Sequence, residues 1–227
     1  MVRLVKIAPS ILAANPLHVL EDLRQLEVVG VDLIHVDVID GVFAPNFGYT
    51  PAFIKALASE TSIPIDAHLM IVNPLKYVSV FAEAGAEYIS VHVESLDASS
   101  ARMLLNLSRE QGFRCGFAIR PSTPEPSWLE DVLDKADFIL PMSVEPGFSG
   151  QKFMRSVLPR FKRFSDIRRQ NAYSYELEAD GGVTQENAAE LVGSGVDILV
   201  AGSSIFSSGD VKQAAEKLRS ACGVYTV

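Results

Sequence analysis

The sequence predicts an α/β fold in which eight parallel strands, each followed by a helical segment, close into one barrel. Three observations carry this expectation. Short apolar, β-branched runs alternate with longer stretches of helical periodicity along the whole chain. Eight such runs can be counted, and 227 residues is close to the length typical of a closed eight-stranded barrel. A doubly wound open sheet would share the alternation and is the structural alternative. With 48% hydrophobic and 21% charged residues the chain has the composition of a folded domain, and we read residues 1–227 as one domain without a linker or low-complexity tract.

Taken in order, the strand runs are residues 4–9, 33–38, 64–68, 88–92, 114–119, 138–142, 176–180 and 197–201, and each interval has room for one helix. Four helix starts are marked by a capping residue ahead of a helical pattern. They are residues 16–26 after Asn15, 51–58 after Thr50, 74–84 after Asn73 and 185–192 after Thr184. Three strands are announced from the other side by Gly30-Val31-Asp32, Gly85-Ala86-Glu87 and Gly195-Val196-Asp197, where a glycine can end a helix before the chain turns inward.

Charge and cysteine content narrow the function classes. Twenty basic against 28 acidic side chains, net −8, argue against a nucleic-acid partner, since affinity for a phosphate backbone needs clustered Lys and Arg. A phosphate, if bound, must be held by local geometry. No apolar run approaches the roughly 20 residues that cross a bilayer, so no membrane partner is expected. Cys115 and Cys222 form neither a disulfide framework nor a zinc-finger spacing, which points to a reducing, cytoplasmic setting. Arg3 and Lys6 precede an apolar stretch, but Pro9 interrupts it, so we read the N-terminus as mature sequence.

In either α/β architecture the chemistry lies beyond the carboxyl ends of the strands. The second run ends His35-Val36-Asp37-Val38-Ile39-Asp40-Gly41, and strand alternation puts His35, Asp37 and Ile39 on one face. The third ends Asp66-Ala67-His68-Leu69-Met70 and the seventh Ala179-Asp180-Gly181-Gly182. Two imidazoles and two carboxylates then converge from three strands: His35, Asp37, His68 and Asp180. Any one of them alone is better read as a satisfied polar residue or a cap. Together, in apolar surroundings where an unpaired charge is costly, they suit a divalent metal of borderline character. His92 ends the fourth run without an evident partner constellation, and His18 is expected at the surface.

A second constellation is glycine-rich. Gly147-Phe148-Ser149-Gly150 follows the sixth run, Gly181-Gly182 the seventh and Gly202-Ser203 the eighth. Each could be a tight turn. Three in succession on neighbouring strands make a plausible phosphate cradle of backbone N–H groups, at the usual phosphate position of this barrel.

These motifs resemble the ribulose-phosphate 3-epimerase family of phosphate-binding (β/α)8 TIM barrels over nearly the whole chain. The marks are Ala8-Pro9-Ser10-Ile11-Leu12, the stretch from His35 to Asn46, His68-Leu69-Met70, the stretch from Met142 to Phe148, and Asp180-Gly181-Gly182 with Ala201-Gly202-Ser203. The resemblance implies that His35, Asp37, His68 and Asp180 bind one divalent metal ion, usually Zn, Fe, Mn or Co. It implies that Asp37 and Asp180 are the catalytic acid/base pair, that Ser10 and His68 face the substrate, and that the glycine-rich loops hold the phosphate of a small sugar phosphate. Met70 and Met142 would line the site and limit water, although Met in a barrel is often core filling. A homo-oligomer is also implied.

The chemistry suits these residue types. Epimerisation at C3 of a ketose phosphate removes a proton beside the C2 carbonyl and returns one to the opposite face, so two acid/base groups on opposite sides are needed. D-ribulose 5-phosphate to D-xylulose 5-phosphate is the expected reaction. A hexulose-6-phosphate 3-epimerase, such as one acting on allulose 6-phosphate, is the nearest alternative. A decarboxylase on a related barrel would need a Lys among the strand-end acids, and a noncatalytic sugar-phosphate sensor would have no use for two acids with two imidazoles. The chain departs from the family pattern at Ile39, Arg120, Glu145 and Ser149. Arg120 and Glu145 follow neighbouring strands and are expected to pair at the rim; the alternative is that Arg120 reaches a larger sugar or a second anion.

Overall fold

The computed structural model describes residues 2–223 and 225–226. Its eight parallel strands are β1 (Lys6–Pro9), β2 (Ile34–Ile39), β3 (Ile65–Met70), β4 (Ala86–His92), β5 (Arg114–Ile119), β6 (Phe138–Pro141), β7 (Glu176–Asp180) and β8 (Ile198–Ala201). Each of β2 to β7 pairs with its successor, and β8 pairs back onto β1. The seam between β1 and β2 is spanned by a parallel bridge between Ser10 and His35. Below it the Ile7 carbonyl accepts the Asp32 and Leu33 amides at 3.0 and 3.3 Å. The sheet is thus a TIM barrel, and the open-sheet alternative is set aside. A two-residue antiparallel pairing of Val2–Arg3 with Tyr225–Thr226 lies apart from it.

The helices are α1 (Val19–Val29), α2 (Pro51–Glu60), α3 (Val78–Glu83), α4 (Ala98–Gln111), α5 (Leu158–Gln170), α6 (Gln185–Gly193), α7 (Ser203–Phe206) and α8 (Val211–Ala221). Thr50 and Thr184 cap α2 and α6 as their positions predict, each satisfying an amide that has no partner inside the helix. Two starts are displaced. The Asn15 carboxamide accepts the Leu17 amide at 3.1 Å and makes a local turn, so α1 begins only after His18. Asn73 opens a 3₁₀ turn, Pro74–Lys76, and α3 follows it.

One expected helix is replaced. Between β5 and β6 the described residues hold only the 3₁₀ turn Glu130–Val132. Pro121, Pro124 and Pro126 remove amide donors through the first part of this interval and push the residues before them into extended geometry.

Strands covered on both faces should be apolar throughout, and outward side chains such as Val36, Val38, Ala67 and Leu69 do pack beneath the helices in the main core. Inward side chains fill the barrel with Ala8, Tyr88, Phe138, Ile198 and Val200. At the amino end Lys6 pairs with Glu176 at 2.7 Å. The exceptions to this apolar filling are buried polar groups on β2, β3, β4 and β7, among them His35, Asp37, Asp66, His68, His92 and Glu178. No helix among the described residues is long and apolar enough to cross a membrane.

Candidate active site

Register brings the polar side chains together. Across the β2–β3 ladder His35 lies opposite Asp66 and Asp37 opposite His68. On the far side Met142 bridges Asp180. Ligand atoms of His35, Asp37, His68 and Asp180 all lie within 4.8 Å of one another. His35 and His68 are fully buried and Asp37 is only 4% exposed, so the cluster forms the floor of a cleft.

The hydrogen bonds around this cluster leave selected atoms free. His35 Nδ1–H donates to Asp66 Oδ2 at 2.5 Å, and His35 Nε2 then faces Asp37 Oδ1 at 3.5 Å. His68 Nδ1 is 3.4 Å from Asp37 Oδ1 and 3.8 Å from Asp180 Oδ2. Neither His35 Nε2 nor His68 Nδ1 has a hydrogen-bond partner. Ser10 Oγ–H donates to Asp37 Oδ2 at 2.8 Å. Two buried imidazole nitrogens and two carboxylates aimed at one point attract positive charge. This is the donor set expected of a borderline divalent cation, which would bind by displacing protons.

The two acids sit in different electrostatic states. Burial alone would raise the Asp37 carboxyl, but the neighbouring imidazoles, His35 foremost and then His68, hold it well below the usual carboxylate range. Asp180 is pushed up to about 6, chiefly by burial, with His35 opposing and the Asp37 charge adding to the rise. Paired groups driven apart in this way are a mark of acid/base sites.

Above the floor opens a cleft lined by Ser10, Met70, Met142, Gly202 and Ser203 and by the turns containing Gly147-Phe148-Ser149-Gly150 and Gly181-Gly182. His35 and His68 lie beneath it. The loops after β6 and β7 are packed tightly: Ser143 Oγ is 2.7 Å from the Asp180 carbonyl and 2.6 Å from that of Gly181. Gly182 has φ +63, and a Cβ there would stand 2.5 Å from the Phe153 amide nitrogen, so only glycine suits the position. Asn187 Nδ2–H holds the Gly182 carbonyl at 2.9 Å, tying this loop to α6. Gln151 donates to the Glu145 and Phe148 carbonyls at 2.7 and 3.0 Å, and Asn46 Nδ2–H reaches the Gly147 carbonyl at 2.7 Å, so the loop after β2 is tied to the loop after β6.

The expected Arg120–Glu145 ion pair does not form. Arg120 turns instead toward the loop after β2, donating to the Phe43 carbonyl at 2.7 Å and lying 4.0 Å over the Phe43 ring. The carbonyl and the aromatic face offer that guanidinium a partner nearer at hand. Glu145 accepts the Ser122 amide at 3.3 Å. His18 is at the surface, 3.1 Å from Glu21.

Three groups escaped the strand-end reading. Asp66 and Glu178 are completely buried beside His35, two residues before His68 and Asp180; alternation puts Asp66 on the face of His68, yet a strand-end position gives neither a role. Burial and the nearby Asp66 push the Glu178 carboxyl well above its ordinary range. His92 has the partners that no sequence pattern revealed: its Nε2 is 2.9 Å from His68 Nε2, and its Nδ1 is 3.0 Å from Glu94 Oε2.

Comparison with known proteins bears on the family and the fold. The sequence profile described as the ribulose-phosphate 3 epimerase family matches residues 6–206. The ribulose-phosphate 3-epimerase of Bacillus subtilis (strain 168) is 39% identical over 217 residues, covering 95% of this chain and 99% of that one. That of Escherichia coli (strain K12) is 38% identical over 215 residues, covering 94% of each. Among solved structures, the 3-hexulose-6-phosphate synthase from Salmonella typhimurium superposes with a TM-score of 0.73 at 17% identity, covering 96% of this chain and 98% of that one. This last likeness shows the fold alone.

Proposed function

Because the chain belongs to the ribulose-phosphate 3-epimerase family, as an isomerase of that type, we propose that it interconverts D-ribulose 5-phosphate and D-xylulose 5-phosphate, with Asp37 and Asp180 as the acid/base pair. The carrying observation is that β2 and β7 bring these two carboxylates to one cleft floor, with ligand atoms within 4.8 Å of one another, below three glycine-containing loops.

One Asp takes the C3 proton as the electron pair moves into the C2 carbonyl, giving an enediolate. The other delivers a proton to the opposite face of C3 as the carbonyl re-forms. In the reverse direction the roles exchange. Ser10 fixes the Asp37 carboxylate by donating to its Oδ2, so that Oδ1 remains directed into the site. Backbone N–H groups of the loops after β6, β7 and β8 would hold the phosphate end, and Met70 and Met142 supply an apolar wall that limits water near the reacting carbon. His35 Nε2, His68 Nδ1, Asp37 and Asp180 would hold a Zn, Fe, Mn or Co ion, which when bound supplies Lewis acidity against the negative charge of the enediolate.

The test is exchange of the C3 proton with solvent deuterium during turnover of ribulose 5-phosphate by metal-replete protein. Asp37→Asn and Asp180→Asn are each expected to slow epimerisation by roughly 10²- to 10⁴-fold; unimpaired turnover in either would overturn the pair. Running the parent protein beside allulose 6-phosphate assigns the sugar length, with the pentulose expected to be faster.

A further inference from the structure

The ring of His92 stands between a cleft-floor residue and a carboxylate, and the atoms that face each other restrict where its proton can lie. His92 Nε2 is 2.9 Å from His68 Nε2, and His92 Nδ1 is 3.0 Å from Glu94 Oε2. Glu94 is fixed in turn, because its Oε1 accepts the Arg120 backbone amide at 2.9 Å. The His92 ring is wedged between the rings of Phe43 and His68, with centroids 4.6 and 5.0 Å away, and it is fully buried.

A neutral imidazole has one N–H and one lone pair. If the His92 proton sat on Nε2, its bare Nδ1 would face a carboxylate oxygen at hydrogen-bond distance, and two buried acceptors would repel. With the proton on Nδ1, His92 donates to Glu94 and its Nε2 becomes an acceptor. His68 must then carry its own proton on Nε2 to donate across the 2.9 Å gap. That leaves the His68 Nδ1 lone pair bare, on the side facing Asp37 and Asp180 at 3.4 and 3.8 Å.

We propose that Glu94 and His92 are positioning residues which, through this chain of two hydrogen bonds, set the tautomer of His68 so that Nδ1 is the nitrogen offered to a divalent cation. The proposal rests on His68 being a ligand, as in the function proposed above, and it assigns to Glu94 and His92 a role that neither strand periodicity nor exposure suggests. It also explains why a carboxylate is needed at position 94. Both Glu94 oxygens accept, Oε2 from His92 and Oε1 from the Arg120 backbone amide, a donor that cannot reverse. A Gln that keeps the Arg120 bond through its oxygen must turn its –NH2 toward His92 Nδ1. This reverses the chain and places the His68 proton on Nδ1.

The experiment has two readouts. In metal-free, ¹⁵N-labelled protein, long-range ¹H–¹⁵N correlation spectra are expected to show His68 protonated at Nε2 and His92 at Nδ1. In Glu94→Gln the Nδ1-protonated form of His68 should gain population, and Mn²⁺ affinity measured by chelator competition should fall by roughly 10- to 100-fold, the range usual for loss of an outer-sphere partner. Should Glu94→Gln fail to fold, His92→Gln and His92→Leu make the same comparison. Gln keeps an acceptor for His68 Nε2–H and should retain Mn²⁺ affinity within a few-fold, whereas Leu should lose it. His68 protonated on Nδ1 in the parent, or parental Mn²⁺ affinity in both Glu94→Gln and His92→Leu, would overturn the proposal. The metal-free spectra do not depend on turnover, so an error in the assigned reaction would leave them as predicted.

Discussion

At Asp37 a single hydroxyl separates a positioned carboxylate from a mobile one. Ser10 Oγ–H is its hydrogen-bond donor from β1's carboxyl end, at 2.8 Å, and hydrogen bonds to charged groups contribute about 1.5–3 kcal/mol. Ser10→Ala is therefore expected to lower kcat roughly 10- to 100-fold with much less change in KM, as steady-state kinetics would show. Glu94 supports a pH prediction on the same footing. Burial would raise its carboxyl, but the hydrogen bond from His92, with the Thr123 side chain and the Arg120 amide, holds it down at about 2. A group depressed in the folded state contributes stability above its unfolded value, here near 4.5, and that contribution fades as pH falls from there toward 2. Urea midpoints measured between pH 6 and 3 should fall less steeply in Glu94→Gln than in the parent; equal slopes would show that Glu94 does not carry this linkage.

Among the elements, the strands were the most legible because parallel strands buried on both faces must be nearly continuous β-branched or apolar runs. Their boundaries moved by no more than two residues at either end. Helix starts were legible where the capping side chain meets its own helix, as at Thr50 and Thr184, and not where an Asx turn intervenes, as at Asn15. The missing helix before β6 follows from Pro121, Pro124 and Pro126, which the regular spacing of the runs does not register. The site was legible at the strand ends, in His35 and Asp37 of β2, His68 of β3 and Asp180 of β7. The Asp66–His35 and His92–His68 contacts lie across different strands, and Arg120 chose a backbone carbonyl over an acid; neither depends on spacing within a segment. The loop after β7 supplies the prediction at this scale. Gly182→Ala places a Cβ 2.5 Å from the Phe153 amide nitrogen and 2.8 Å from the Gln151 carbonyl oxygen at φ +63. It should destabilise the fold by roughly 1–3 kcal/mol in chemical denaturation and raise KM for the sugar phosphate. A variant with parental stability and KM would show that the two loops are not packed as described.

For the molecule as a whole, a cation held as proposed by four side chains from β2, β3 and β7 would link three staves of the barrel. It would bind only the native arrangement, so at a free concentration 100 times its Kd it should add about 2.7 kcal/mol of stability. For a domain of this size that is roughly 5–10 °C in Tm. Scanning calorimetry with and without a chelator, followed by Mn²⁺ or Zn²⁺ add-back, measures it; an unchanged Tm would show that these side chains hold no metal. The seam between β1 and β2 has a different consequence. Ser10 and His35, the two residues that bridge it, are also a donor to one candidate catalytic carboxylate and a candidate metal ligand. The clasp of the barrel and the floor of its cleft are therefore one structure, so unfastening that clasp dismantles the cleft at the same moment. A chain opened there is an eight-stranded sheet with two bare edges, a form that invites edge-to-edge association with its copies. Occupancy of the cleft should then act as a latch against aggregation, protecting the protein under conditions that leave its helices intact.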